Sequence, residues 1–311
     1  MDVLSDVIAV TRTGRPRSAH VRWHAPWGQE FASVPGSAGF QVILQGSCWL
    51  LRPDTEPVQL DVGDVVFLPH GTGHILADSP ETLVTSPACG SGDPGLSASY
   101  ASDSVDRSGQ SGPVTVVLCG AYQLDPSRTH PLLLTLPDII HLPAHADRRP
   151  ELCSAVKLLA AEVEAPRLGT DAAVPALLDT LLLYILRIWF NGQASRGGTV
   201  GWAAALNDPP VSAALDAIHR NPSAPWTVAR LAAEAGLSRA TFAKRFRSLI
   251  GQPPLGYLTW WRMTTAARLL RTSDAPLRSI AAKVGYTSEF AFANAFKRTH
   301  GAAPGTYRRR S

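Results

Sequence analysis

The sequence predicts an α+β chain of more than one domain. An antiparallel β-barrel comes first, then a helical segment, and last an all-α domain with two helix-turn-helix motifs. Three observations predict this. Short β-branched and aromatic runs, punctuated by turn residues, fill the first third. Charge divides the chain: residues 201–311 hold 16 Lys and Arg against 5 Asp and Glu, a net +11, whereas residues 1–200 hold 13 against 20, a net −7. Finally, one pattern of small residues, glycine, serine and spaced phenylalanines occurs twice near the end.

The barrel elements follow in order. Strands are expected at Val21–Trp23, Phe40–Leu44, Cys48–Leu51, Val58–Leu60, Val65–Leu68 and His74–Leu76, with Gly46-Ser47, Pro53-Asp54, Gly63-Asp64 and His70-Gly71 as turns. Residues 91–112 are rich in Ser, Gly and Asp and nearly lack large apolar side chains. Such a stretch buries too little surface to offset ordering, which predicts a mobile insertion. Strands resume at Val114–Leu118 and Ala121–Leu124, so the barrel is placed at 1–148.

A helical segment is expected over 149–191. Its first helix carries Leu152, Val156, Leu159 and Val163 on one stripe. Its second, from Asp171 to Phe190, has more apolar residues than one face holds. It therefore packs on the barrel and on a second copy in a homodimer, or is wholly buried within one chain. Residues 192–204 read as a flexible linker before the domain at 205–311. No run of 18 uninterrupted apolar residues occurs, and Met1 to Asp6 lacks a signal-peptide pattern, so a cytoplasmic protein without a membrane span is expected. Cys48, Cys89, Cys119 and Cys153 are too widely spaced for a disulfide framework.

The twin motif carries the functional argument. The first copy runs from Thr227 through Gly236 and Ser238 to Phe242, Phe246 and Leu249. The second runs from Leu277 through Gly285 and Ser288 to Phe292 and Phe296, with the two glycines 49 residues apart. Phenylalanines at i and i+4 mark the buried face of each second helix. The opposite face then presents Arg239, Ala240, Thr241, Ala243, Lys244 and Arg247 in the first copy, and Ser288, Glu289, Phe290, Ala293, Asn294, Lys297 and Arg298 in the second. A recognition helix reads base edges from its N-terminal part, so Lys244 suits guanine and Asn294 suits adenine. Arg239, Arg247, Lys297 and Arg298 suit phosphates. Phe290 would meet a thymine methyl or tuck against Tyr286. A long helix over Leu255–Leu270 would join the copies as a strut, letting one chain address two successive stretches of double-stranded DNA.

The run Ala281, Gly285-Tyr286, Ser288, Phe292, Phe296-Lys297, Gly301, Pro304 and Tyr307-Arg308 resembles the AraC/XylS family of transcription regulators over roughly residues 205–310. Ala303 departs from the Ser or Thr that commonly precedes the proline. The resemblance implies a promoter-binding regulator, usually an activator that contacts RNA polymerase, with an N-terminal sensor. Gly63, Pro69, Gly71 and His74 resemble the second motif of a cupin-type sensor, although Phe40-Gln41-Val42 stands where the first cupin motif would place a histidine. Cys119-Gly120 and His130-Pro131 also resemble that sensor subgroup.

Three signals compete for the cupin-like barrel. A small organic effector would be lined by Trp23, Phe40, Val42, Trp49 and Phe67. A metal, zinc or another transition metal, would be held by His74, Cys119 and His130, with Cys89 as a fourth ligand. An oxidant would act on Cys119 with Cys89 or Cys48. The blander reading makes His74 a satisfied barrel histidine and the cysteines apolar filler. A cupin-type metalloenzyme with an accessory DNA-binding domain and a structural DNA-binding protein are the rival functions. The first rests on His74 alone, and the second leaves a whole barrel unexplained.

Overall fold

The computed structural model describes residues 2–84, 112–124, 130–144, 149–195 and 201–310. The insertion expected at 91–112 lies outside these residues except for Gly112, as do Cys89 and the centre of the expected linker. The chain divides into two compact units: residues 12–189, and a helical unit in which residues 1–11 join 190–311. Helix α1 (Val3–Thr11), which the sequence reading grouped with the barrel, thus packs among the C-terminal helices.

The first unit contains β1 (Arg12–His24), β2 (Gly28–Phe31), β3 (Ser37–Gln45), β4 (Cys48–Leu51), β5 (Val58–Leu60), β6 (Val65–Leu68), β7 (His74–Ala77) and β8 (Val114–Leu124). The short helix α2 (Pro131–Leu134), β9 (Ile140–Leu142), α3 (Pro150–Glu164) and α4 (Thr170–Ser195) follow. Every strand pair is antiparallel, in a five-stranded sheet ordered β1-β8-β3-β6-β9 and a four-stranded sheet ordered β2-β7-β4-β5. The sheets face each other across Val21, Trp23, Ile43, Val66 and Val117 on one side and Cys48, Leu50, Leu60 and Leu76 on the other. This is the expected barrel, with β2 and β9 added.

Register corrects the expected effector lining. Successive strand residues face opposite ways, and Ile43, Val66 and Leu68 belong to the inter-sheet core. Phe40, Val42 and Phe67 therefore lie on the other face, where Phe40 pairs with Phe67 and Phe40 packs 5.8 Å from Tyr122. That face is buried too, because the Tyr122 hydroxyl donates to the Leu178 carbonyl of α4. A sheet buried on both faces reads as continuous apolar sequence, which hides its alternation. Trp49, between Cys48 and Leu50, likewise faces away from the interior, and of the five only Trp23 stays inside.

Helix α3 buries the expected stripe of Leu152, Val156, Leu159 and Val163. Its Glu162 accepts from Thr170 Oγ1 at 2.6 Å and Arg167 Nη2 at 2.8 Å, which ties α3 to the start of α4. By length and composition α4 is apolar enough to cross a membrane from Thr170 to Gln193, a test that core helices also pass. Val174, Leu178, Leu181, Leu182, Ile185 and Leu186 are buried in this structure. The linker expected at 192–204 is shorter in helix terms, since α4 reaches Ser195 and α5 starts at Trp202.

The helical unit continues with α5 (Trp202–Asn207), α6 (Pro209–Arg220), α7 (Val228–Glu234), α8 (Arg239–Ile250), α9 (Pro254–Thr272), α10 (Leu277–Lys283), α11 (Glu289–His300) and α12 (Pro304–Arg310). Helix α9 is the predicted strut. Its Tyr257 lies 6.1 Å from Phe246 of α8, whereas its Met263, Ala266, Ala267 and Leu270 share a core with Ile280, Phe292 and Phe296. One helix thus supplies the floor of both motifs.

Candidate nucleic-acid interface

The second helix of each motif is built the same way, whereas the first helices differ, α10 starting after Pro276 without a side-chain cap. In the first, Thr227 caps α7 and Ser238 caps α8, the Ser238 Oγ accepting from the Thr241 amide at 3.3 Å. In the second, the Ser288 Oγ accepts from the Ala291 amide at 3.3 Å. Each side-chain oxygen satisfies an amide that the helix leaves unpaired. Helices α8 and α11 each span 12 residues and end on a left-handed glycine, Gly251 and Gly301. The turns use Gly236 at φ 64° and Gly285 at φ 81°, conformations that suit a residue without Cβ.

The buried faces agree with the sequence: Phe242, Phe246, Phe292 and Phe296 are fully buried. The opposite faces are open. Arg239, Ala240, Thr241, Lys244 and Arg247 are exposed on α8 with Ala243 half-buried between them, and the Thr241 hydroxyl lies 2.8 Å from Ser238 Oγ. Ser288, Glu289, Phe290, Asn294, Lys297 and Arg298 are exposed at α11, again with an alanine, Ala293, half-buried. Phe290 is 77 % exposed, while Tyr286 packs edge-on against Phe292, so the ring is not tucked away. An aromatic ring held in water on a helix of this kind has apolar area available to a partner.

Three residues that sequence reasoning missed hold this surface in place. Arg245 points away from the open face, and its Nε donates to Asp208 Oδ2 at 2.7 Å. Asp208 also caps α6 by accepting from the Val211 amide, so α8 is braced against α6. His219 sits buried between Asp6 of α1 and Tyr257 of α9: its Nδ1 lies 3.1 Å from Asp6 Oδ2 and its Nε2 2.6 Å from the Tyr257 hydroxyl. Its ring also stacks 3.9 Å from Trp261. Burial holds the Tyr257 hydroxyl well above its usual range, so it stays protonated and available to the histidine. The third, Arg262 of α9, donates to the carbonyls of Pro222 and Ala224. Only a long-range fold brings these groups together, and no local spacing signals them.

The sensor candidates do not converge. Among the described residues no group of three His, Cys, Asp or Glu side chains is placed to hold a metal. His74 Nδ1 lies 3.3 Å from the Thr72 carbonyl, its Nε2 lies 3.2 Å from the Gln41 amide nitrogen, and its ring stacks on Phe31. Burial pulls His74 down to about 4, so it is neutral near pH 7. His130 caps α2, its Nδ1 accepting from the Leu132 amide at 3.0 Å. The expected set of His74, Cys119 and His130 therefore loses its histidines to local hydrogen bonds, and Cys89 lies outside the described residues. Cys119 pairs across the sheet with Gln41 and is buried. Burial and the nearby Asp64 and Asp61 push the Cys48 thiol up to about 12, which suppresses its reactive thiolate.

A sheet-built N-terminal unit followed by two capped helix-turn-helix motifs, each with an open helix face, defines a DNA-binding transcription regulator. A cupin family matches residues 2–191 and a helix-turn-helix domain family matches residues 231–310. A putative AraC-like transcription regulator of Streptomyces lividans is 35% identical, covering 99% of this chain and 98% of its own. The HTH-type transcriptional regulator AlkR of Acinetobacter baylyi is 30% identical over the full length of both. Among solved structures, the DNA-binding domain of AdpA in complex with a target DNA is 38% identical, covering 33% of this chain and 91% of that one, with a TM-score of 0.31. The chain belongs to the AraC-type transcription regulators, in the branch with a cupin N-terminal domain.

Proposed function

We propose that this regulator reads an asymmetric promoter site with a single chain, α8 and α11 each entering a major-groove segment of one duplex. The observation that carries the reading is the pair of equal-length, Ser-capped helices with opposite faces buried and open, sharing α9 as their floor. Lys244 would donate to guanine and Asn294 would bond adenine, while Phe290 packs on a thymine methyl. Ala240 and Ala243 let α8 approach the groove closely. Thr241, Ser288, Glu289 and Ala293 border those contacts, and Arg239, Arg247, Lys297 and Arg298 neutralise phosphates. The protein acts in the cytoplasm, without catalysis, as an activator that contacts RNA polymerase and dimerises through the helical segment at 149–191.

Of the signals considered, a small organic effector fits the barrel chemistry best. The Gln41 side chain lies in the sheet interior, 3 % exposed, and its Oε1 finds no hydrogen-bond partner among the described residues. A buried acceptor without a partner is costly, and a ligand hydroxyl or amine would relieve it.

The decisive experiment is a gel shift of the full chain on its own gene's upstream region across a salt series. Specific retardation is expected. It should weaken by about 1–3 kcal/mol for Lys244→Ala and for Asn294→Ala. No specific retardation, or none sensitive to either change, would refute the reading.

A further inference from the structure

We propose that Arg262 is a positioning residue that sets which spacing between the two DNA segments the chain accepts; this rests on the two-segment reading above. Arg262 sits near the middle of α9, where that helix passes from the core of the first motif to the core of the second. Its Nε donates to the Pro222 carbonyl at 2.7 Å and its Nη2 to the Ala224 carbonyl at 2.9 Å. Both carbonyls belong to the loop that leads into α7, the first helix of the first motif. That loop is itself tied down, since Trp226 Nε1 donates to the Asn221 carbonyl at 2.8 Å.

The same guanidinium also meets the second motif. It lies 5.9 Å from the Tyr286 ring centroid, a cation–π contact next to the turn. A Cβ added at Gly285 would stand 2.7 Å from Arg262 Nη2, 2.9 Å from its Cζ and 2.9 Å from the Ser223 carbonyl. The turn of the second motif is therefore pressed onto both the arginine and the loop of the first. The corresponding Gly236 has nothing within 4 Å of such a Cβ. One rigid fork thus clamps the two motifs together beside the helix that joins them.

The consequence is geometric. A one-base-pair change in spacing moves the second segment by about 3.4 Å and turns it by about 35° around the duplex, so a clamped pair of helices should reject it. An unclamped pair could follow. Lysine is a point charge that reaches one carbonyl without the planar fork, so it should hold the clamp only in part.

The test uses the full chain and a duplex enriched by the wild-type protein from a randomised library, with its two protected segments located by footprinting. Duplexes with one base pair added or removed between the segments are then compared by gel shift. Wild type should bind the altered duplexes at least about tenfold more weakly than the parent, in keeping with fixed half-site spacing. Arg262→Met should bind the parent more weakly and reduce that discrimination to about threefold or less, with Arg262→Lys in between. Should Arg262→Met fail to fold by circular dichroism, Arg262→Lys becomes the deciding variant, and loss of at least half of the discrimination is required. Weaker binding with the wild-type spacing ratio intact would make Arg262 a stabilising residue only and overturn the inference. A wild-type protein that protects one segment alone, or ignores spacing, would instead overturn the two-segment reading, and this inference with it.

Discussion

The two helix-turn-helix motifs share the serine cap of the second helix, helix length, glycine turns and buried phenylalanines, yet differ in most of what their open faces carry and in how their turns are held. The first motif is basic and smooth, with Arg239, Lys244 and Arg247 around two alanines. The second begins with Glu289 and the exposed ring of Phe290 and turns basic only at its end, with Lys297 and Arg298. The Gly236 turn stands in open space, whereas the Gly285 turn is wedged against Arg262 and Ser223. The shared parts are those that packing and backbone chemistry require; the parts that differ are under no such requirement.

The comparison breaks first at the cores. Phe242→Ala and Phe292→Ala should each lower stability by about 3–5 kcal/mol, measured by thermal or urea unfolding, because each empties a fully buried site. Equal losses would support two equivalent cores. A much smaller loss in one would show a motif that collapses around its cavity.

The turns sharpen the contrast. Gly236→Ala should cost only about 1–2 kcal/mol, the strain of a left-handed alanine. Gly285→Ala should cost clearly more, because its methyl also meets Arg262 and the Ser223 carbonyl. Melting the two variants side by side checks this, and equal shifts would mean that the second turn has room to move. Caps come next: Ser238→Ala and Ser288→Ala should each lose about 1 kcal/mol in the same assay.

The smallest effects are electrostatic. Arg247→Ala and Lys297→Ala should each reduce the slope of log affinity against log salt by about 1, to a similar degree on specific and unrelated duplexes. A slope change confined to the specific duplex would reassign that side chain to base reading.

The twin motifs were legible in the sequence because their signals are local. Phenylalanines at i and i+4, a serine before each helix and a glycine in each turn are all set by neighbours within a few residues. The clamps were not. Arg245 and Asp208 lie 37 residues apart, and Arg262 meets Pro222 from 40 residues away. In the barrel, strand positions were largely readable, but the facing of β3 and β6 was not, since both faces of that sheet are buried. The metal expectation rested on residue type; each histidine already serves a neighbouring backbone group, Thr72 for His74 and Leu132 for His130. Short β2 and β9 and the lone helix α1 carry too little periodicity to stand out.

The docking of α1 bears on the order in which the protein is made. Asp6 meets His219 across 213 residues, so α1 belongs to a unit whose other helices follow residue 189 in the chain. Contacts this distant in sequence form late, after the chain between them has had time to fold. The barrel at 12–189 should therefore be complete before the helical unit can close around α1.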